Sequence, residues 1–290
     1  MVNITMKTAE VHWKLNSYCE FDCIYCPSKY RGGELNKTLD QYLHVVEQLQ
    51  TTRYNHCDSI NWFLGGGEPL HFPNLNLLLQ KIKSKNSYIR LDTSGGDNWF
   101  SIMEILNYVD HFRITHHYWQ NPTVLNYIID LCNENQKKIN VIVPLMAGKI
   151  KECREKVAEL NDLGIKTQEI TLSADQGGYW QGYSKKDINL INYLPEDYVE
   201  PEKEPVVPNN NYVDLSKLDG SPVHTGKPCY AGIDWINIGH KGFASASNCG
   251  GRSIGNVFDE GWQAPAEPFP CSMIQCRDKQ DQSKIRVNQS

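Results

Sequence analysis

The chain has 290 residues, 40% of them hydrophobic, enough to bury one large core with an appendage. Its 29 Lys and Arg against 34 Asp and Glu leave a net charge of −5, so no general attraction to phosphate backbones or anionic lipid is built in, and a nucleic-acid partner is not supported. No apolar run reaches the roughly 20 residues of a membrane helix, and the start lacks a basic stretch followed by an apolar one; the expected setting is cytoplasmic, away from membranes.

From residue 10 to residue 172, short β-rich runs alternate with longer segments of helical period, the pattern of an α/β fold with a parallel sheet covered by helices. Strands are predicted over residues 10–15, 60–64, 89–93, 111–115, 139–144 and 167–172. Thr38 with Gln41 forms a capping box for a helix whose Leu39, Tyr42, Leu43, Val46 and Leu49 trace one face. A second helix follows Pro73 with Leu75, Leu78, Leu79 and Ile82. Asn121 before Pro122 is an N-cap leading Leu125, Ile128 and Cys132. A later helix carries Ile150, Cys153, Val157 and Leu160 and stops at Gly164, a left-handed cap. After Ser173 the rhythm breaks: residues 176–226 read as a connection, and residues 227–290 as turns and short strands organised around cysteines. The expected division is therefore 1–175, 176–226 and 227–290.

Ten cysteines without an export signal point to metal binding or thiol chemistry rather than to a disulfide framework. Cys57, Cys132 and Cys153 lie singly inside apolar patterns and are expected in the core. Cys19, Cys23 and Cys26 put three thiolates on the loop after the first strand. Three thiolates with no fourth nearby leave one metal of a cubane cluster open to another ligand, whereas structural zinc would recruit four protein ligands. The loops after the next three strands are furnished as well, with Gly65, Gly66, Gly67 and Glu68, then Thr93 and Ser94, then Thr115, His116 and His117. Ligand groups of parallel α/β folds gather on such loops. Glycines let the backbone turn sharply and approach a ligand, and Glu68 with exposed carbonyls can accept hydrogen bonds. His117 is expected to face this rim and His116 the other side, since neighbours alternate. Asp175, Tyr179 and Trp180, just beyond the sixth strand, are placed to meet a substrate.

The run Cys19-Glu-Phe-Asp-Cys23-Ile-Tyr-Cys26, followed about 40 residues later by Gly66-Gly67-Glu68-Pro69, resembles the radical S-adenosylmethionine (SAM) superfamily. The resemblance implies an open, partial (β/α)6 TIM-like barrel and a 4Fe-4S cluster on Cys19, Cys23 and Cys26. It implies SAM at the open iron, cleaved reductively to a 5′-deoxyadenosyl radical that takes hydrogen from a substrate. It further implies Tyr25 near the adenine, Gly66, Gly67 and Glu68 at the methionine ammonium, and Ser94 and Thr115 near the carboxylate or ribose. His117, Asp175 and Tyr179 are the substrate-side candidates.

Cys229, Cys249, Cys271 and Cys276, with Ile-Gly-Asn-Val at 254–257, look like the twitch relative of the SPASM domain. That implies a small C-terminal cysteine-rich α+β module holding an auxiliary 4Fe-4S cluster; four thiolates would also close a structural zinc site. The interval from Gly242 to Cys249 is longer than the usual G-x4-C, and C-x4-C replaces C-x2-C. With 18 residues ahead of Cys19, no N-terminal peptide-recognition domain is expected. The expected partners are a small-molecule or peptide substrate and a reductant such as flavodoxin or ferredoxin. The rival reading is a non-catalytic iron-sulfur or zinc protein, against which an ammonium-binding turn at Glu68 argues.

Overall fold

The computed structural model describes residues 7–21, 23, 25–26, 33, 37–173, 179–197, 226, 228–229, 232–246, 253–263, 265 and 267–271. Six strands, β1 Thr8–Asn16, β2 Ser59–Gly66, β3 Ser87–Thr93, β4 His111–Thr115, β5 Lys138–Leu145 and β6 Lys166–Thr171, pair in chain order and all in parallel. Alternation along the strands decides the layers. Val11, Trp13 and Leu15 of β1, Ile60, Trp62 and Leu64 of β2, and Ile89 and Leu91 of β3 are buried in the apolar core. The intervening His12, Lys14, Phe63, Arg90, Asp92, Arg113 and Thr115 line a cavity instead.

The helices α1 Leu39–Gln48, α2 Leu75–Lys83, α3 Ile102–Ile105, α4 Pro122–Glu134 and α5 Ile150–Asp162 form where their caps and apolar faces place them. Thr38 and Gln41 close the capping box of α1, and the Asn121 side chain accepts from Thr123 N at the start of α4. After α5, Gly164 takes a φ of 76°, which returns the chain toward β6. Cys57, Cys132 and Cys153 are buried in the core, as their apolar surroundings imply. No described helix is long and apolar enough to cross a membrane.

Two features depart from the sequence reading. The segment read as a connection contains a helix, α6 Lys185–Ile191, started by a Ser184–Asp187 capping box. Asp187 also accepts from Gly148 N at 2.8 Å, and Arg154 donates to the carbonyls of Leu190 and Ile191, so α6 is fastened to α5 by polar contacts.

The second departure lies at the C-terminal side. Strand β7 Pro228–Cys229 pairs with β11 Phe269–Pro270 as a separate ribbon, but β8 Trp235–Ile238 pairs in parallel with β1, Ile236 opposite Val11. Strands β9 Phe243–Ser245 and β10 Ser253–Asn256 then continue antiparallel, giving one sheet of order β10-β9-β8-β1-β2-β3-β4-β5-β6. Among the described residues this sheet stays open. Ile236 and Ile238 join the main core, and Arg53 donates to the carbonyls of Gly232 and Ile233, both at 3.0 Å. The C-terminal strands thus cover an edge of β1 that would otherwise present unpaired backbone groups.

Replacing Ile236 by Ala is expected to cost about 2–5 kcal/mol and to lower the midpoint of a single denaturation transition followed by circular dichroism. A separate early transition confined to the C-terminal strands would contradict one continuous sheet.

Candidate active site

Gly66 and Gly67 stand at the end of β2 because the backbone there lies against β1 with no room for a side chain. A Cβ on Gly66, whose φ is +132°, would sit 2.5 Å from the Asn16 carbonyl oxygen, and one on Gly67 would sit 2.0 Å from that of Tyr18. The approach is sealed by hydrogen bonds: Gly67 N donates to Asn16 O at 2.9 Å, Glu68 N to Tyr18 O at 2.6 Å, and Asn16 Nδ2 to Glu68 O at 3.0 Å.

The Glu68 side chain, 1% exposed, reaches the other way. Its carboxylate accepts from Thr93 Oγ1, from Ser94 N at 2.8 Å and Oγ at 2.5 Å, and from Leu70 N at 3.1 Å. Burial pushes this carboxyl up, and the donors of Ser94, Thr93 and Leu70 pull it back. A carboxylate has about four acceptor positions, and four protein donors take them here. The ammonium-binding part of the expectation therefore rests on the backbone carbonyls of the glycine turn, with Glu68 as the tie that joins the ends of β1, β2 and β3.

Immediately after Tyr18 comes the cysteine loop. Glu20 latches it: Oε1 accepts from Asp97 N at 2.9 Å, and Oε2 pairs with His71 Nε2 at 3.1 Å. Gly96, with φ +25°, leaves the space, since a Cβ there would meet Glu20 Oε1 at 1.5 Å. Cys26 N donates to Cys23 O at 2.8 Å, turning the loop. Cys19, Cys23 and Cys26 open onto a single cavity of about 720 Å³, shared with Tyr25, residues 65–68, Ser94, Thr115 and His117.

Burial above all, then the nearby charges of Glu20 and Glu68, push the Cys19 thiol up to about 12, against the pull of the Phe21 backbone. Metal ligation displaces that proton. Among the described residues no three His, Cys, Asp or Glu side chains converge on one metal ion. A cubane distributes its protein ligands over separate irons, so three thiols around a shared cavity fit a cluster.

On the rim, Tyr25 Oη and His117 Nδ1 share a hydrogen bond of 2.5 Å. His117 stacks on Trp119, ring centres 5.2 Å apart, and Trp180 meets Tyr25 edge-on at 6.2 Å. Burial, with His116 adding repulsion, lowers His117 to about 4, so the imidazole is neutral at pH 7. Burial raises the Tyr25 phenol above its usual range. Gln120 fastens the pair to β3, accepting from His117 N and donating to Ser94 O, each at 2.7 Å. His116 lines a different cavity beside Cys153 and Glu159, as alternation predicts.

Tyr179 is not brought to the cavity: it is 40% exposed and donates to Asn192 Oδ1 at 2.8 Å. Asp175, Cys249 and Cys276 lie outside the described residues. Cys229 and Cys271 are both buried, and Cys271 follows β11 two residues after Phe269, the partner of Cys229. That diagonal places the two cysteines on one face of the ribbon.

Sequence reasoning passed over Asn16, Glu20 and Gln120, whose roles are contacts between loops. It also passed over Lys14, Arg90, Asp92 and Arg113, which line the cavity. A signal for the last four exists, because strands of a parallel sheet are ordinarily apolar on both faces and these alternate apolar with charged residues.

The model of the Radical SAM superfamily matches residues 13–171. The chain belongs to this superfamily. Membership in this superfamily implies S-adenosylmethionine and a 4Fe-4S cluster. Among curated proteins none matches it. The fold is similar to that of SuiB from Streptococcus suis bound to S-adenosylmethionine, at a TM-score of 0.55 and 15% identity, over 88% of this chain and 64% of SuiB. The chain thus spans less than two thirds of SuiB's length. Two structures of anSMEcpe with bound AdoMet, one native and one carrying a polyhistidine tag, give TM-scores of 0.52 and 0.55, each at 12% identity, covering 86% and 87% of this chain and 78% of that one.

Replacing Glu68 by Ala strands the donors of Thr93, Ser94 and Leu70, at about 1–3 kcal/mol each. The expected outcome is a melting temperature lowered by several degrees together with SAM affinity weakened at least tenfold in equilibrium dialysis. An unchanged melting temperature and affinity would show that the carboxylate is not the tie.

Proposed function

We propose that Cys19, Cys23 and Cys26 hold the catalytic 4Fe-4S cluster and that the surrounding rim binds SAM above a substrate seated deeper in the same cavity. The observation that carries this reading is the opening of all three thiols, the glycine turn, Tyr25, Ser94 and Thr115 onto one space. When bound, the cluster supplies the electron that cleaves SAM to methionine and a 5′-deoxyadenosyl radical, which abstracts hydrogen from the substrate.

The chain's own residues bind and orient. Three thiolates leave the fourth coordination corner to SAM. The backbone of residues 65–67 offers carbonyls to the ammonium, while Ser94 and Thr115 offer hydroxyls to the carboxylate or ribose. Tyr25, held by neutral His117, forms the wall for the adenine. Trp119 and Trp180 lie beside Tyr25 and brace that wall of the rim.

Cys229 and Cys271 on one face of the β7–β11 ribbon support an auxiliary cluster of the twitch kind, completed by Cys249 and Cys276. Its role is electron acceptance from the substrate or shaping of the substrate pocket. A flavodoxin or ferredoxin is the fitting reductant, and the substrate is a small molecule or a peptide.

Anaerobic reconstitution with iron and sulfide tests the assignment. The expected result is about eight irons per chain and 5′-deoxyadenosine formation with dithionite. Cys19→Ala should abolish that product and remove about four irons, whereas Cys229→Ala should remove about four irons and leave SAM cleavage in place. Bound zinc without SAM cleavage would overturn the catalytic reading in favour of a structural metal protein.

A further inference from the structure

The chain carries a net charge of −5, yet its central cavity sets two guanidiniums, Arg90 and Arg113, around the carboxylate of Asp92, with Lys14 on the same wall. The other acidic residue on that wall, Glu68, is spent on its four hydrogen bonds at the rim. Asp92 stands between two guanidiniums. Its Oδ1 accepts from Arg90 Nε at 2.8 Å, and its Oδ2 meets Arg90 Nη2 at 3.3 Å and Arg113 Nη2 at 2.6 Å. One carboxylate shared by two guanidiniums leaves a positive charge in excess. Five N–H groups on each guanidinium give more donors than Asp92 can accept.

The network is held in place rather than left to sway. Arg90 lies over the Phe63 ring, 4.4 Å from its centre, and Phe63 packs on His12 at 4.5 Å. Gly65 comes so close to Asp92 that a Cβ there would lie 3.3 Å from the Asp92 Cβ, so nothing stands between the turn above and the ion group below. Asp92 and Arg113 face each other in register, two residues below Ser94, which follows β3, and Thr115 at the end of β4. At about 3.3 Å per residue that is roughly 7 Å beneath the rim.

We propose that Arg113 and Arg90, braced by Asp92 and assisted by Lys14, form the substrate's anchor and bind an anionic oxygen group, a carboxylate or a phosphate. The inference rests on the reading that SAM occupies the rim above. An anchor at this depth suspends the substrate's carbon chain between the ion group and the cofactor, which is where a hydrogen must be presented. The planar fork of Arg suits such groups because it donates in pairs. Partial burial of excess positive charge is costly without a counter-charge, and a bound anion supplies it.

SAM carries a carboxylate of its own, so the test must separate the two sources. Succinate and inorganic phosphate, at constant ionic strength, are titrated by calorimetry into the reconstituted holoenzyme with saturating SAM, and SAM affinity is measured in parallel samples. The expected result is saturable binding of at least one anion, weakened at least tenfold by Arg113→Gln and less by Arg113→Lys. If Arg113→Gln does not fold, Arg113→Lys carries the comparison: it keeps the charge and loses the fork. Absence of saturable binding, or binding equal in wild type and both variants, overturns the proposal. So does anion binding seen only without SAM, accompanied by loss of SAM affinity on substitution, which assigns the site to the cofactor's carboxylate. A wild-type protein that binds the anion but not SAM leaves the anion site standing and overturns the reading of the rim.

Discussion

Residue 68 is the point on which the site depends, because its backbone belongs to one neighbouring loop and its side chain to another. Its amide and carbonyl are fixed to the end of β1 through Tyr18 and Asn16, while its carboxylate gathers the first residues after β3. Those contacts form only if the preceding two residues have no side chain, which is why Gly66 and Gly67 stand there. The cysteine loop begins one residue after Tyr18, so the thiols inherit their position from this junction. Glu20 repeats the device on the far side of the loop through Asp97 and His71. Hydrogen bonds to a buried carboxylate are strong individually and costly to break singly, so the three loops move as one body or not at all.

Much of this was legible in the residues. The six parallel strands follow from β-branched and aromatic residues recurring between well-capped helices; the structure lengthens β1, β2 and β5 by one or two residues at each end, extends β3 at its start, keeps β4 and shifts β6 by one residue. Local chemistry also announced the caps at Thr38, Asn121 and Gly164. The pairing of β8 with β1 was not legible, since a four-residue run carries no mark of which distant edge it will cover. Nor was α6, whose short length and polar anchoring leave little apolar period to detect.

In the site, residue types identified the ligand-bearing loops but not the direction in which each group is spent. Glu68 reads as a ligand acceptor, and in the structure its carboxylate accepts from Thr93, Ser94 and Leu70. His117 reads as a rim residue facing cofactor or substrate, and in the structure it lines the cavity while paired with Tyr25 and held by Gln120. Tyr179 reads as a substrate contact and instead closes a bond to Asn192. The charged floor of the cavity was the opposite case. The alternation of Lys14, Arg90, Asp92 and Arg113 with apolar residues marks a polar face on these strands, and the register of β1 to β4 shows that the four share one cavity.

The most direct measurement of the central claim, that the cysteine trio leaves one coordination corner for SAM, is electron paramagnetic resonance of the reduced, fully reconstituted protein before and after SAM is added. The account predicts a shifted signal from the cluster on Cys19, Cys23 and Cys26, still seen when Cys229 and Cys271 are replaced. A spectrum unaltered by saturating SAM would contradict it.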